Sequence, residues 1–185
     1  MSQKLSLLDI VSTFEEKIQN KMFCYTLSNG QTIRIAIYQE QICHLLGIQY
    51  VFGHDKRYLG AKGYQSIKSE NITIDSLKKH NLKQYNYIKE RLLYFDKLYE
   101  ILTKGQLIKF YNEKAFPYTK IEADFIVIKN GQKHIYHLFL RQEKPNDNLY
   151  SAISFIVKSI DEKYPKQYID HQEYKKKKKI EIHQM

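Results

Sequence analysis

The chain has 185 residues, a hydrophobic fraction of 43% and a formal net charge of +10. That suits one domain with a short appendage and a real core, and no apolar run approaches the roughly 20 residues of a membrane helix. The start, MSQKLSLLDIVSTFEEK, carries acids and lacks a long apolar centre, so it does not read as a secretory signal.

Cys24 and Cys43, without a CxxC pair, give no disulfide or zinc framework, and a reducing cytoplasm is expected. The basicity is not confined to the run Lys175 to Lys179. The 30 basic residues less these five, against the 20 acidic residues less Glu173 and Glu181, leave +7 on the body. A basic body points to an anionic partner, and nucleic acid is the commonest; the plain alternative is a solvated lysine-rich surface.

In chain order, Ser6 to Lys21 is predicted as an amphipathic helix from the spacing of Leu8, Val11, Phe14 and Ile18. Two strands follow, Phe23 to Leu27 and Gln31 to Tyr38, joined at Ser28-Asn29-Gly30. Gln39 to Leu46 is a short helix with Gly47 placed for a left-handed cap. Tyr50 to Asn71, with Gly53, Gly60 and Gly63 among basic and aromatic residues, is expected as an irregular loop that wraps a phosphate backbone or simply faces water. Thr73 or Asp75 caps a helix through His80. A long helix is expected over Tyr87 to Thr103, ended by Gly105, and Leu107 to Tyr111 is a short strand.

Ile121 to Leu140 holds two apolar runs around Asn130-Gly131, a strong hairpin signal because both central residues of a type I′ turn need φ > 0. A two-residue loop sets Val127 opposite His134 and Asp124 opposite His137. Ile126, Ile128, Ile135 and Phe139 then share one face, and Phe125, Val127, Tyr136, Leu138 and Leu140 the other. Both faces are apolar, so the hairpin belongs inside a sheet covered on both sides. Leu149 to Val157 is the neighbouring strand. Asp161 to Tyr174 is a helix or ordered loop broken at Pro165, and the lysine run is expected to fray. The fold class is α+β: N-terminal helices and a hairpin packed with a mainly antiparallel four-stranded sheet. One domain spans residues 1–170, and 171–185 is a basic tail whose deletion is expected to weaken nucleic-acid affinity and spare the chemistry.

Several segments also occur in a familiar order: HLLG at His44 to Gly47, R-x-x-x-F-x-x-L from Arg91 to Leu98, ADFIVI at Ala123 to Ile128, HLFL at His137 to Leu140, and Ser154-Phe155. The set resembles a phage-associated branch of the barnase–EndoU–colicin–RelE-like nucleases, over roughly Phe23 to Tyr164. The resemblance implies helices on a four-stranded antiparallel sheet and RNA cleavage without a metal or cofactor.

Such cleavage needs a base for the 2′-OH, an acid for the leaving 5′-oxygen and cations for the phosphate. His44 is a candidate acid or base, or a histidine capping its helix. Arg91 falls at the margin of the stripe set by Ile88, Leu92, Phe95 and Leu102, where a charge needs an acid of the protein or a phosphate. Lys109 either reaches a phosphate from the sheet or points to water. His137, beside Asp124, is an oriented imidazole or a buried contact. Ser151 and Ser154, three apart, are placed on opposite faces, and Ser154 is favoured by the resemblance alone. Lys56, Arg57, Lys62, Arg141 and Tyr164 are candidate substrate contacts, with Tyr150 and Gln167 as weaker ones. No metal-ligand pattern occurs, so no metal is expected. The functions that follow are a metal-independent endoribonuclease, as a toxin or phage-related effector with a protein antitoxin or inhibitor; a basic module that binds nucleic acid without cutting it; or an immunity-type partner.

Overall fold

The computed structural model describes residues 6–53 and 55–185. It divides into two compact units: Met1–Gln19 with Ile37–Lys97, which is helical, and Asn20–Ala36 with Leu98–Met185, which holds the sheet. Among the described residues no helix is long and apolar enough to cross a membrane.

In the helical unit, α1 (Leu7–Lys17) starts at Ser6, whose Oγ accepts from the Leu8 and Asp9 amides, and buries Leu7, Ile10, Val11 and Phe14. Glu15 of α1 accepts from Tyr64 Oη at 2.5 Å and Lys68 Nζ at 2.6 Å, which fastens α4 (Gly60–Lys68) to α1. The Lys68 bond, then the Tyr64 bond, hold the Glu15 carboxyl below its ordinary range. Helix α2 (Ile42–Leu46) ends at Gly47 in the left-handed region, φ 82°, as expected. A Cβ at Gly47 would lie 2.7 Å from Ile88 Cγ2, so the glycine also permits α2 to approach α6 (Leu82–Leu93).

The stretch expected to be a loop is mostly helical. It contains α3 (Ile48–Phe52), a 3-10 turn over Lys56–Tyr58, and α4. Gly63 is a packing device there, because a Cβ would meet the Tyr58 carbonyl oxygen at 2.3 Å and Cys43 Sγ at 2.8 Å. Thr73, not Asp75, caps α5 (Ile74–His80), in a reciprocal pair with Ser76. The long helix expected over Tyr87 to Thr103 is interrupted. Helix α6 stops at Leu93, a 3-10 turn spans Phe95–Lys97, and α7 (Leu98–Lys104) belongs to the other unit. One apolar stripe in sequence thus feeds two cores.

The sheet unit corrects the four-stranded expectation. Strands β1 (Lys21–Leu27), β2 (Thr32–Ala36), β3 (Gln106–Lys109), β4 (Phe125–Asn130), β5 (His134–Gln142), β6 (Leu149–Ser159), β7 (Glu173–Lys175) and β8 (Lys177–Gln184) form one sheet, ordered β7-β3-β4-β5-β6-β2-β1-β8. Its edges, β7 and β8, are separated in the chain by Lys176 alone, so the sheet nearly closes on itself. All neighbours are antiparallel except β2 and β6, which run parallel.

The lysine run, expected to fray, is the seam of this closure. Strand β8 pairs with β1 from Lys21↔Gln184 to Leu27↔Lys177, and the Lys176 carbonyl accepts from the Ser28 amide. Ile180 and Ile182 pair with Tyr25 and Phe23, whose side chains are fully buried. Lys177 Nζ lies 4.3 Å from the Tyr25 ring centroid and donates to the Gly105 carbonyl, and burial pushes its pKa down to about 8.

The β4–β5 hairpin forms with the expected faces but a register shifted by four. Ile126 pairs with Phe139, Ile128 with His137 and Asn130 with Ile135. Neither Asn130 nor Gly131 takes a positive φ, so the type I′ turn is absent. Gly131 donates instead to the His134 carbonyl at 2.8 Å, and a Cβ on it would touch the Tyr136 ring at 3.0 Å. An even shift keeps every side chain on its face. Ile126, Ile128, Ile135 and Phe139 therefore pack with Ile108, Phe110, Tyr168 and Ile169, the last two supplied by the ordered loop ahead of β7.

Candidate active site

Arg91 is the most unusual side chain of the helical unit. It is 6% exposed, near the end of α6, as its position beside the apolar stripe predicts. Its guanidinium carbon lies 5.3 Å from the Tyr50 ring centroid and 5.8 Å from that of Tyr87. Tyr87 and Arg91 are four apart and share a helix face. The two rings meet edge to face at 5.4 Å. Among the described residues no carboxylate pairs with Arg91. A buried cation ordinarily demands an anion, and stacking supplies part of that stabilisation without neutralising the charge. Tyr50 and Tyr87 themselves remain exposed.

His44 is exposed on the last turn of α2. Gln49, buried on α3, donates from Nε2 to the His44 carbonyl at 3.4 Å, while its Oε1 is buried with no hydrogen-bond partner. Helices α2 and α3 both pack on α6, and Tyr50 follows Gln49. His44 and Arg91 therefore belong to one packed group of three helices, joined through Gln49 and Tyr50.

The other basic candidates of this unit differ among themselves. Arg57 grips Asp55 with Nε at 3.0 Å and Nη2 at 2.6 Å and lies over the Tyr58 ring. That grip holds the Asp55 carboxyl below its usual range and commits the guanidinium locally. Lys56 and Lys62 are exposed. Tyr58 stacks on Phe52 at 4.1 Å, and Phe52 lies 4.6 Å from the His80 ring.

In the sheet unit, the expected Asp124–His137 pair does not form, because the register shift sets His137 opposite Ile128 and Ile156. His137 is wholly buried. Its Nδ1 lies 3.4 Å from the Ile156 carbonyl, its Nε2 has no partner, and desolvation pushes its pKa down to about 3. An imidazole without a solvent face, neutral through the physiological range, has no route to a substrate proton. Asp124 takes Lys109 as partner at 3.8 Å and accepts from the Gln142 amide at 2.8 Å. Lys109 also lies over the Phe125 ring at 4.7 Å. A bulge in β6 opposite Phe139 and Leu140 adds a residue, so Ser154 pairs with Phe139 and Ser151 with Arg141. Both serines therefore share one face, against the simple alternation expected, and Arg141 is exposed beside Ser151. Tyr164 lies in a separate cleft with Phe116. Tyr50, Tyr87, Gln49 and Phe116 were not singled out by sequence; for Tyr87 the four-residue spacing to Arg91 is the available signal.

The helical unit thus carries a buried arginine packed on two tyrosines, with no carboxylate partner among the described residues, and an exposed histidine on a helix packed against the same α6. The chain matches the model of PBECR4, the phage-Barnase-EndoU-ColicinE5/D-RelE like nuclease4 family, over residues 6–184, and it belongs to that nuclease family. No curated protein and no solved structure matches it.

Proposed function

We propose that the protein is a metal-independent endoribonuclease whose chemistry is carried by the helical unit. The observation that supports this most is Arg91, a buried guanidinium packed against two tyrosine rings with no carboxylate partner among the described residues. Its fork suits the two non-bridging oxygens of a phosphodiester. His44, exposed on a helix packed against α6, is the proton carrier. The neutral imidazole takes the 2′-OH proton, the 2′-oxygen attacks the adjacent phosphorus, and the bond to the 5′-oxygen breaks. The leaving oxygen gains a proton from water, giving a 2′,3′-cyclic phosphate and a 5′-hydroxyl. Lys56 and Lys62 serve the flanking phosphates, while Arg57 is already held by Asp55. In the sheet unit, Arg141 and Ser154 are polar groups available to the backbone of a longer RNA, and Lys109 is partly neutralised by Asp124.

The test is incubation of the purified chain with total RNA in excess EDTA, with end-group analysis of the products. Cyclic phosphates support the reading; intact RNA, or cleavage that needs an added divalent ion, overturns it. The burial of His137 favours a second reading, a basic module that grips RNA without cutting it. That reading predicts a salt-sensitive complex with uncut RNA in the same tubes.

A further inference from the structure

The sheet unit holds a cleft of about 350 Å³ lined by Lys114, Phe116, Lys163, Tyr164, Lys166 and His171. Its volume lies in the range of small-ligand pockets, roughly 300–1,000 Å³. We propose that this cleft seats one unpaired base of a single-stranded nucleic acid, with the lysines on the neighbouring phosphates.

Three observations carry the proposal. The first is aromatic exposure. Phe116 is 72% exposed, yet it is not loose: its ring meets Tyr164 edge to face at 5.5 Å and 89°. A perpendicular pair leaves an open ring face, on which a third flat ring stacks. The second is charge. Lys114, Lys163 and Lys166 outnumber the one acid of the lining, Asp170, and Lys163 itself lies over the Tyr164 ring at 5.2 Å. A lipid tail or an apolar peptide does not call for such a rim, whereas a phosphate backbone does.

The third is that the walls are built in advance. Gln167 Nε2 donates to the Pro117 carbonyl at 2.7 Å, and the Phe116 amide donates to the Gln167 carbonyl at 3.3 Å, so the two walls are pinned together. Tyr168 and Ile169 anchor the same loop in the sheet core. Gln172 continues the anchoring, accepting from the Tyr111 amide and donating to the Tyr111 carbonyl. His171 is held at φ 64°, a conformation uncommon for a residue with a side chain, and it faces the cleft from there. Little ordering remains to be done when a ligand arrives. A duplex hides its base faces in the stack, so the preference is for single strands.

The proposal rests on the nuclease reading for the ligand being nucleic acid, and its test does not depend on cleavage. Fluorescence anisotropy of a labelled, non-cleavable 2′-O-methyl RNA 12-mer is measured with the full chain at low and moderate salt, alongside a duplex of equal length. Phe116→Ala should weaken single-strand binding by about 5- to 150-fold, the loss expected for one stacked base, and leave duplex binding unchanged. Phe116→Trp should retain tight binding. Lys163→Ala should lower the salt slope by roughly 0.7. Single-strand binding by Phe116→Ala equal to wild type, with wild-type RNA cleavage intact, overturns the cleft and leaves the nuclease standing. No binding of either nucleic acid by the unaltered chain, with no cleavage, overturns both.

Discussion

His137 makes the sheet unit acid-labile in a calculable way. The imidazole is fully buried against Phe139 and Tyr168, and its pKa falls from 6.5 to about 3 on folding, chiefly through desolvation, which the hydrogen bond to the Ile156 carbonyl only partly opposes and the nearby Lys158 charge reinforces. The folded state thus binds its proton less readily than the unfolded chain. Stability is complete above pH 6.5, falls as pH drops through the window from 6.5 to about 3, and stops falling below it. One pH unit corresponds to about 1.36 kcal/mol, so by pH 4 this residue alone removes about 3 kcal/mol of unfolding free energy. Carboxylates such as Glu15 also lose native bonds in acid, so the informative quantity is a difference between proteins. His137→Leu nearly conserves volume and removes both the titration and the unpartnered Nε2. Urea titrations of both proteins at pH 7 and pH 4 should show similar stability at pH 7 and a variant about 3 kcal/mol more stable at pH 4. Equal acid losses in the two would refute the burial argument.

Two further outcomes follow from the seam strand. Lys177 has its pKa lowered from 10.5 to about 8, so the unfolded chain binds more protons between those values. Unfolding free energy should therefore rise as pH goes from about 8 toward 10 in thermal melts, and Lys177→Met should flatten the rise; a fall in wild type over that window contradicts it. Deleting residues 171–185 removes β7 and β8 and strips β1 of a neighbour along its whole length. The truncated chain should lose its cooperative melt by circular dichroism, and a wild-type-like transition would show that the seam is dispensable.

The faces of the central hairpin were legible because alternation survives any even slip, while the register was not. Asn-Gly promised a left-handed turn, and the chain instead spends those residues on pairing Asn130 with Ile135 and on contact between Gly131 and Tyr136. The lysine run hid a strand because charge runs usually read as solvated, and the alternating Ile180 and Ile182 were the counter-signal. The glycines of residues 50–71 looked like loop punctuation, yet Gly63 is there for close approach to Tyr58 and Cys43. Arg91 was legible from the helical period, since an arginine at the edge of an apolar stripe is pulled inward with its turn. Its tyrosine partner Tyr50, from another helix, was not, because that contact exists only after α3 packs on α6.

In the proposed reaction Arg91 holds the scissile phosphate. The direct measurement is the single-turnover rate of a short RNA in EDTA with Arg91→Lys, compared with wild type under saturating protein. Lysine keeps the charge and loses the fork, so the rate should fall by about 10²-fold or more, from loss of transition-state hydrogen bonds, with an unchanged melt. His44→Ala in the same assay should lose about 10²–10⁴-fold and still bind the RNA. Wild-type rates from a folded Arg91→Lys protein would contradict the assignment.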